Sequence, residues 1–283
     1  MSERISCLIN YGAEYYDRLD VLFGSNKAAI TTTGNQNIKK ALAKLKQNPL
    51  HELRVLAIGS ATGSIDEGII DTLCEKYSKI ANTVIEPALS GIDDFKERVK
   101  THQDKWSGVT FDFRGQTIED YLEKLDELQK YDVIHALHCV YHFADPRNSL
   151  VTLYGMLDTN GLFIIRANTG HWEDCALKIG EYYHDPRSHY IGTKYIKTLL
   201  RSALPSANIE SYYTESPLNV SDCFNDDSVD GNKKIDFIFQ VLNFRQSLPP
   251  EKQQIFLDFL KKCCNEENGE MIFNKQDEDL VIY

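Results

Sequence analysis

The stretch Arg54-Val55-Leu56-Ala57-Ile58-Gly59-Ser60-Ala61-Thr62-Gly63-Ser64-Ile65 decides the fold. A short apolar run meets Gly59, Gly63 follows four positions later, and Ile65, Ile69 and Leu73 then recur at helical spacing. A strand, a tight loop and a helix are predicted. Three further segments repeat the strand reading: Thr83-Val84-Ile85-Glu86 with Pro87 behind it, residues 109–114, and Asp132-Val133-Ile134-His135-Ala136-Leu137. A fifth strand is expected over 161–166, preceded by a helix over 146–157. Strands that alternate with crossover helices specify a parallel sheet covered on both faces, a doubly wound α/β domain.

Working outward, residues 11–23 and 37–45 read as helices, serving either as cover for the sheet or as a lid over a ligand. Beyond Arg166 the spacing predicts helices near 172–183 and 193–204, then a strand near 209–214 and a polar loop over 216–234. A strand over 235–243, an amphipathic helix over 250–264 and two short strand pieces, 271–273 and 280–283, complete the reading. With no internal repeat and no Pro/Ser linker, one domain over 1–283 is expected. It would comprise a helical cap (1–50), a binding core (51–168) and substrate-binding elements with C-terminal strands (169–283).

The 283 residues are 42% apolar and 26% charged, which is ordinary for a folded globular chain. A net charge of -11 repels phosphate backbones, so nucleic acid is not an expected partner. No apolar run approaches the ~18–20 residues of a membrane span, and the first six residues lack the basic and apolar parts of a signal peptide. A cytoplasmic monomer with no membrane partner is expected. Its seven cysteines show no C-x-x-C spacing, so reduced thiols are expected rather than disulfides or a thiolate zinc site.

The loop Gly59-Ser60-Ala61-Thr62-Gly63 lets backbone approach a ligand. A dinucleotide cradle would place glycines where Ala61 and Ser64 stand, so a ligand without phosphates fits better. Glu86 ends the second strand, where a carboxylate can accept both hydroxyls of a ribose. With the aspartate-led strand at Asp132, these features point to S-adenosylmethionine. His135, His138 and His142 form an H-x-x-H-x-x-x-H string, but a strand and its edge do not share a helical face, so no metal is expected. His135 reads as a buried, hydrogen-bonded imidazole and His138 as placed for a ligand.

These residues, taken with others down the chain, resemble the histamine N-methyltransferase family of class I S-adenosylmethionine-dependent enzymes. The resemblance rests on Val55 to Gly59 with Gly63-Ser64-Ile65-Asp66, Val84-Ile85-Glu86-Pro87, Tyr131 to His135 with Val140-Tyr141, and Gly170-His171-Trp172. It continues through His189-Tyr190-Ile191, Ser221-Asp222-Cys223-Phe224, Asp236-Phe237, Asn243-Phe244, Phe273-Asn274 and Leu280-Val281-Ile282. It implies a Rossmann-like, mostly parallel seven-stranded sheet with inserted substrate-binding elements. It also implies cofactor contacts at Gly59, Ser60, Gly63, Glu86, Thr117, Ile118 and Leu137.

On the substrate side the resemblance implies an aromatic wall of Tyr15, Tyr141, Trp172, Tyr190 and Phe237, although core packing accounts for any one of these taken singly. The family's carboxylate, glutamine and asparagine anchors fall on Ala28, His138 and Lys275. All three differ. An acid lost at Ala28 and a cation gained at Lys275 disfavour an ammonium-bearing acceptor, unless Lys275 points into water or Glu14, Asp17 or Asp20 supplies the acid. The expected function is methyl transfer to nitrogen of a small amine or imidazole, with His138 accepting a proton or orienting the acceptor. A histamine methyltransferase with relocated anchors and a non-catalytic binding protein of the same fold are the other two readings.

Overall fold

The computed structural model describes residues 8, 12–24, 27–48, 50–125, 127, 129–182 and 192–283, with 27–33 as backbone alone. The strands are β1 (Leu53–Ile58), β2 (Ile80–Ile85), β3 (Val109–Arg114), β4 (Tyr131–Leu137), β5 (Leu157–Thr169), β6 (Ile209–Asn219), β7 (Cys264–Glu267) and β8 (Glu270–Ile282). Their order is β3-β2-β1-β4-β5-β8-β6, with β7 paired only to β8. The expected seven-stranded sheet is therefore present, with β7 added as a hairpin arm. β1 pairs in parallel with β2 and β4, β2 with β3, and β4 with β5.

The helices are α1 (Gly12–Phe23), α2 (Lys27–Leu42), α3 (Asp66–Cys74), α4 (Leu89–Thr101), α5 (Ile118–Glu123), α6 (Pro146–Gly155), α7 (Gly170–Gly180), α8 (Thr193–Ala203), α9 (Val229–Phe239), α10 (Phe244–Ser247) and α11 (Pro250–Lys262). No described helix is long and apolar enough to cross a membrane. The chain divides into two compact units: a first unit of 1–30, 168–192 and 214–277, and a second of 31–167, 193–213 and 278–283.

In the second unit every residue of β4 is buried, as expected of a central parallel strand covered on both faces. Ile38, Leu42 and Leu45 of α2 and its C-terminal extension, with Ile69 and Leu73 of α3, pack on Leu53, Val55 and Val133. Phe95 and Trp106 close a second cluster over Ala57 and Val84. Caps set the helix starts: Thr117 Oγ1 accepts the Asp120 amide at 3.1 Å, and Asp145 accepts the Asn148 amide at 3.0 Å ahead of Pro146.

The first unit corrects the sequence reading at three places, the first being the loop expected over 216–234, where β6 runs on to Asn219 and α9 begins at Val229. Residues 235–239 are not strand but the last turns of α9, which Ser228 caps by accepting the Gly231 amide at 3.0 Å. Ile235, Phe237, Ile238 and Phe239 are all buried, and an apolar run this short carries no period that separates helix from strand. The two C-terminal pieces are likewise one strand. The polar segment 274–279 continues β8 because its buried charges have partners: Lys275 with Asp277 in the first unit, and Glu278 with Lys197 and Asp279 with Arg166 in the second.

Asp236 explains why Asp236-Phe237 and Asn243-Phe244 occur together. Its carboxylate accepts the amides of Asn243 at 3.0 Å and Phe244 at 2.8 Å, and Arg18 Nε of α1 at 3.0 Å. One buried group starts α10 and ties α1 to α9.

Candidate active site

In the second unit the loop after β1 is built by close approach. Gly59 has φ +67°, and a Cβ there would lie 2.4 Å from the Cys139 Cβ. Gly63, at φ +72°, lies against the Phe95 ring, where a Cβ would come within 2.4 Å. Ala61 has φ +46°, a left-handed conformation that costs a Cβ-bearing residue ~1–2 kcal/mol.

Glu86 holds the strained residue. Its Oε2 accepts the Ala61 amide and its Oε1 the Ala88 amide, both at 2.8 Å, and the side chain is only 7% exposed. A carboxylate offers about four acceptor positions, so both oxygens retain capacity for the hydroxyls of a ribose. Arg98 of α4 fastens the same loop by donating to the Thr62 carbonyl at 3.0 Å and pairing with Glu67.

Beneath the loop, Ser60 donates to Asp66 Oδ1 at 2.7 Å, and His135 Nε2 lies 3.6 Å from the same oxygen. His135 is buried as expected, though this partner stands beyond hydrogen-bond length. Burial raises the Asp66 carboxyl to about 7, against the Ser60 hydrogen bond and the Arg98 charge, with Glu86 adding to the rise. Burial lowers His135 to about 3.

The two groups act on stability in opposite directions. Asp66 keeps a proton that the unfolded chain releases near its ordinary value of 3.8, so its contribution is full in acid and is lost as pH rises to about 7. The His135 contribution is present above 6.5 and is lost as pH falls toward 3. Asp66→Asn removes the first effect alone. Its stability relative to the parent is expected to rise by about 2–4 kcal/mol between pH 4 and pH 7. Urea unfolding of both proteins across that range checks this, and parallel profiles would refute it.

At the far end of β4, Leu137 is buried in the helix-covered core, and His138 adopts φ +55° with its amide donating to the Arg166 carbonyl at 2.9 Å. This left-handed residue stands at the carboxyl edge of the parallel sheet, directly after β4. Tyr141 follows in a short 3₁₀ turn, its ring 4.7 Å from that of His142. The Thr117 side chain caps α5 and Ile118 is buried, so a ligand at that turn would meet backbone. Among the described residues, no three His, Cys, Asp or Glu side chains converge as metal ligands would.

In the first unit, Tyr15, Trp172 and Phe237 do come together. Tyr15 lies 5.0 Å and Trp172 6.0 Å from Phe237, centroid to centroid. Phe23, which the sequence reading missed, completes the set at 5.9 Å from Phe237 and 6.1 Å from Trp172. The stripe Tyr15, Leu19, Phe23 at intervals of four was the available signal. Trp172 and Phe237 are almost fully buried, so they serve the core as well as any ligand.

Lys275 does not point into water. It is 5% exposed, pairs with Asp277, and holds its ammonium 5.5 Å from the Trp172 ring and 5.7 Å from Phe23. Asp277 is an acid the sequence reading passed over; two residues along a strand, it shares Lys275's face. Asp17 takes Lys233 at 3.1 Å. Ala28 lies in α2, but its side chain, like all of Tyr190, lies outside the described residues.

The family model described as methyltransferase domain matches residues 32–203. Among curated proteins, histamine N-methyltransferase of Bos taurus is 27% identical over 82% of this chain and 82% of its own length. Histamine N-methyltransferase B of Xenopus laevis is 27% identical over 81% and 80%. Among solved structures, the YcgJ protein of Bacillus subtilis covers 87% of this chain and 97% of its own, with TM-score 0.53 and 11% identity. The plantazolicin methyltransferase BamL, solved with a triazolic desmethylPZN analogue and SAH, covers 97% and 92% with TM-score 0.53 and 14% identity.

The donor set fits the cofactor of such enzymes: a buried strand-end carboxylate with acceptor capacity, a close-approach loop, and no phosphate-binding glycine pattern. The matched family residues take in β1 to β5 with the whole of that loop, and the chain belongs to the methyltransferase domain family as an S-adenosylmethionine-dependent methyltransferase.

Proposed function

We propose that the chain methylates a nitrogen of a small amine or imidazole other than histamine, and the observation that carries this is the Lys275–Asp277 pair set among aromatic rings. In this reading Glu86 takes the ribose hydroxyls of the cofactor, and Gly59, Ser60 and Gly63 with the backbone at Thr117, Ile118 and Leu137 shape the rest of its seat. Bound there, S-adenosylmethionine supplies an electrophilic methyl group on a sulfonium. The chain's own task is alignment and exclusion of water, since fixed geometry can supply ~7–11 kcal/mol of a displacement barrier. His138 orients the acceptor nitrogen and takes the proton it loses.

The aromatic rings receive the flat or methylene part of the acceptor. Their cationic seat, worth ~0.5–2 kcal/mol to an ammonium, is already filled by Lys275. An acceptor that meets this side with a neutral or carboxylate-bearing group is therefore favoured over one that meets it with an ammonium. The names of the curated relatives support nitrogen as the acceptor atom.

A panel of small amines and imidazoles, histamine included, tested with labelled S-adenosylmethionine decides the matter. Histamine is expected to be a poor acceptor. Ala28→Glu with Lys275→Asn is expected to raise its kcat/KM roughly tenfold or more, because a like charge is removed and carboxylates are supplied. Efficient methylation of histamine at micromolar KM by the unaltered protein would overturn this and leave a histamine methyltransferase with its acid relocated. Asp277 would then join Glu14, Asp17 and Asp20 as candidates for that acid.

A further inference from the structure

The three residues between Gly59 and Gly63 are each held by a different element of the second unit. Asp66 Oδ1 of α3 accepts the Ser60 hydroxyl at 2.7 Å, Glu86 just past β2 accepts the Ala61 amide at 2.8 Å, and Arg98 of α4 donates to the Thr62 carbonyl at 3.0 Å. Glu86 and Arg98 take backbone atoms, whereas Asp66 takes a side chain of the loop itself. Asp66 is the first residue of α3, so its bond to Ser60 joins the entrance of the loop to the helix that follows it. It is also the most buried of the three holders.

We propose that Asp66 is a positioning residue for the methyl donor, its carboxylate fixing Ser60 and through it the loop on which the donor binds; this rests on the assignment of that loop and Glu86 as the cofactor seat. With Gly59 at φ +67° and Gly63 at φ +72°, the loop has a glycine at each end and much backbone freedom to lose when it meets a ligand. An anchor made before binding lowers that cost.

The groups that face Asp66 are the Ser60 hydroxyl, His135 of β4 with Nε2 at 3.6 Å, Cys139 just past β4, Glu86 and Arg98. Burial raises the Asp66 carboxyl to about 7, and Arg98, the cation among these groups, is paired with Glu67 and lowers it only in part. A proton is therefore there to be lost near neutrality. Ionised, Asp66 makes a charge-assisted bond to Ser60, roughly twice as strong as the neutral one. The cationic sulfonium of the donor favours the same form, as opposite charge does for any carboxylate. Both effects have one sign. The ionised form binds the donor better, so affinity rises with pH through about 7 and binding drives a proton off Asp66.

The experiment is titration calorimetry of the full chain with S-adenosylmethionine from pH 6 to pH 8, repeated near pH 7 in two buffers of unlike ionisation heat. Affinity is expected to rise about fivefold across that range, with release of roughly half a proton near its middle. Asp66→Asn keeps a neutral acceptor for Ser60, so it should bind at every pH as the parent does in acid and should release that much less proton. The donor's own α-amino group titrates alike against both proteins, and the difference between them reads Asp66. Ser60→Ala should bind about fivefold more weakly at pH 8 and lose most of the slope, and Ser60→Thr, which keeps the hydroxyl, should regain both. Melting curves establish that each variant is folded, and the Ser60 pair stands even without the Asp66 variant. Parallel pH profiles for the parent and Asp66→Asn, as a purely structural carboxyl would give, or an unchanged slope in Ser60→Ala would overturn the proposal. If Glu86→Ala weakens binding in the same assay, that result overturns the role of Asp66 alone. Undiminished binding by Glu86→Ala would instead remove the seat itself, and the proposal with it.

Discussion

Glu86→Ala is expected to weaken S-adenosylmethionine binding by roughly one to two orders of magnitude, the cost of leaving hydroxyls without their acceptor at ~1–3 kcal/mol. Two effects add. The ribose loses the pair of oxygens proposed to hold it, and the amides of Ala61 and Ala88 lose theirs. Ala61 then has nothing to keep it at φ +46°, so the loop relaxes to a shape that no longer matches the ligand. Titration calorimetry with the methyl donor and with its demethylated product reads the effect directly. Undiminished affinity in the variant would remove Glu86 from the site, and NAD should not compete with either ligand.

The second large effect is expected at Asp279. Arg166 donates Nε to one carboxylate oxygen at 2.7 Å and Nη2 to the other at 2.9 Å, while the same Nη2 also reaches the Gly34 carbonyl at 2.8 Å. Arg166 is 5% and Asp279 1% exposed, so β5, β8 and α2 meet at a fork that water does not reach. Asp279→Ala takes the carboxylate of the fork away from a buried guanidinium, a loss of about 3–5 kcal/mol. Urea unfolding should show it, and a loss below about 1 kcal/mol would mean that the fork is solvated. Replacing both partners by apolar residues of similar volume should recover much of the stability, because the burial cost disappears with the charges.

What could be read from the chain follows from how local each signal is. The first five strands, the loop at Gly59 and the acid at Glu86 are written as apolar runs broken by glycine or proline, and all lie where expected. The place of His138 just past β4 was legible in the same way, from the buried strand before it. The misread elements carry no local signal. Residues 235–239 of α9 are buried on every side, Asp236 included, so no period survives. The middle of β8 is five polar residues and a lysine whose partners, Lys197 and Arg166 among them, lie far away in sequence. The same holds for Lys275: charge alone says surface, and only the adjacent Asp277 and two rings supplied from elsewhere make burial tolerable.

The place of β8 in the sheet sets an order of events in the making of the protein. Ribosomes deliver β5, then β6, then β8, yet β8 is the strand that stands between the other two. Until it has left the exit tunnel, β5 has an unpaired edge and β6 has nothing to join, and the fork at Arg166 lacks its carboxylate. The sheet is therefore completed after translation of β8 rather than strand by strand, with the delay and exposure to misassembly that such long-range closure brings. Ribosome-bound chains stalled before Glu270 should accordingly be cut by protease within α8 and β6, while those stalled well past Ile282 resist.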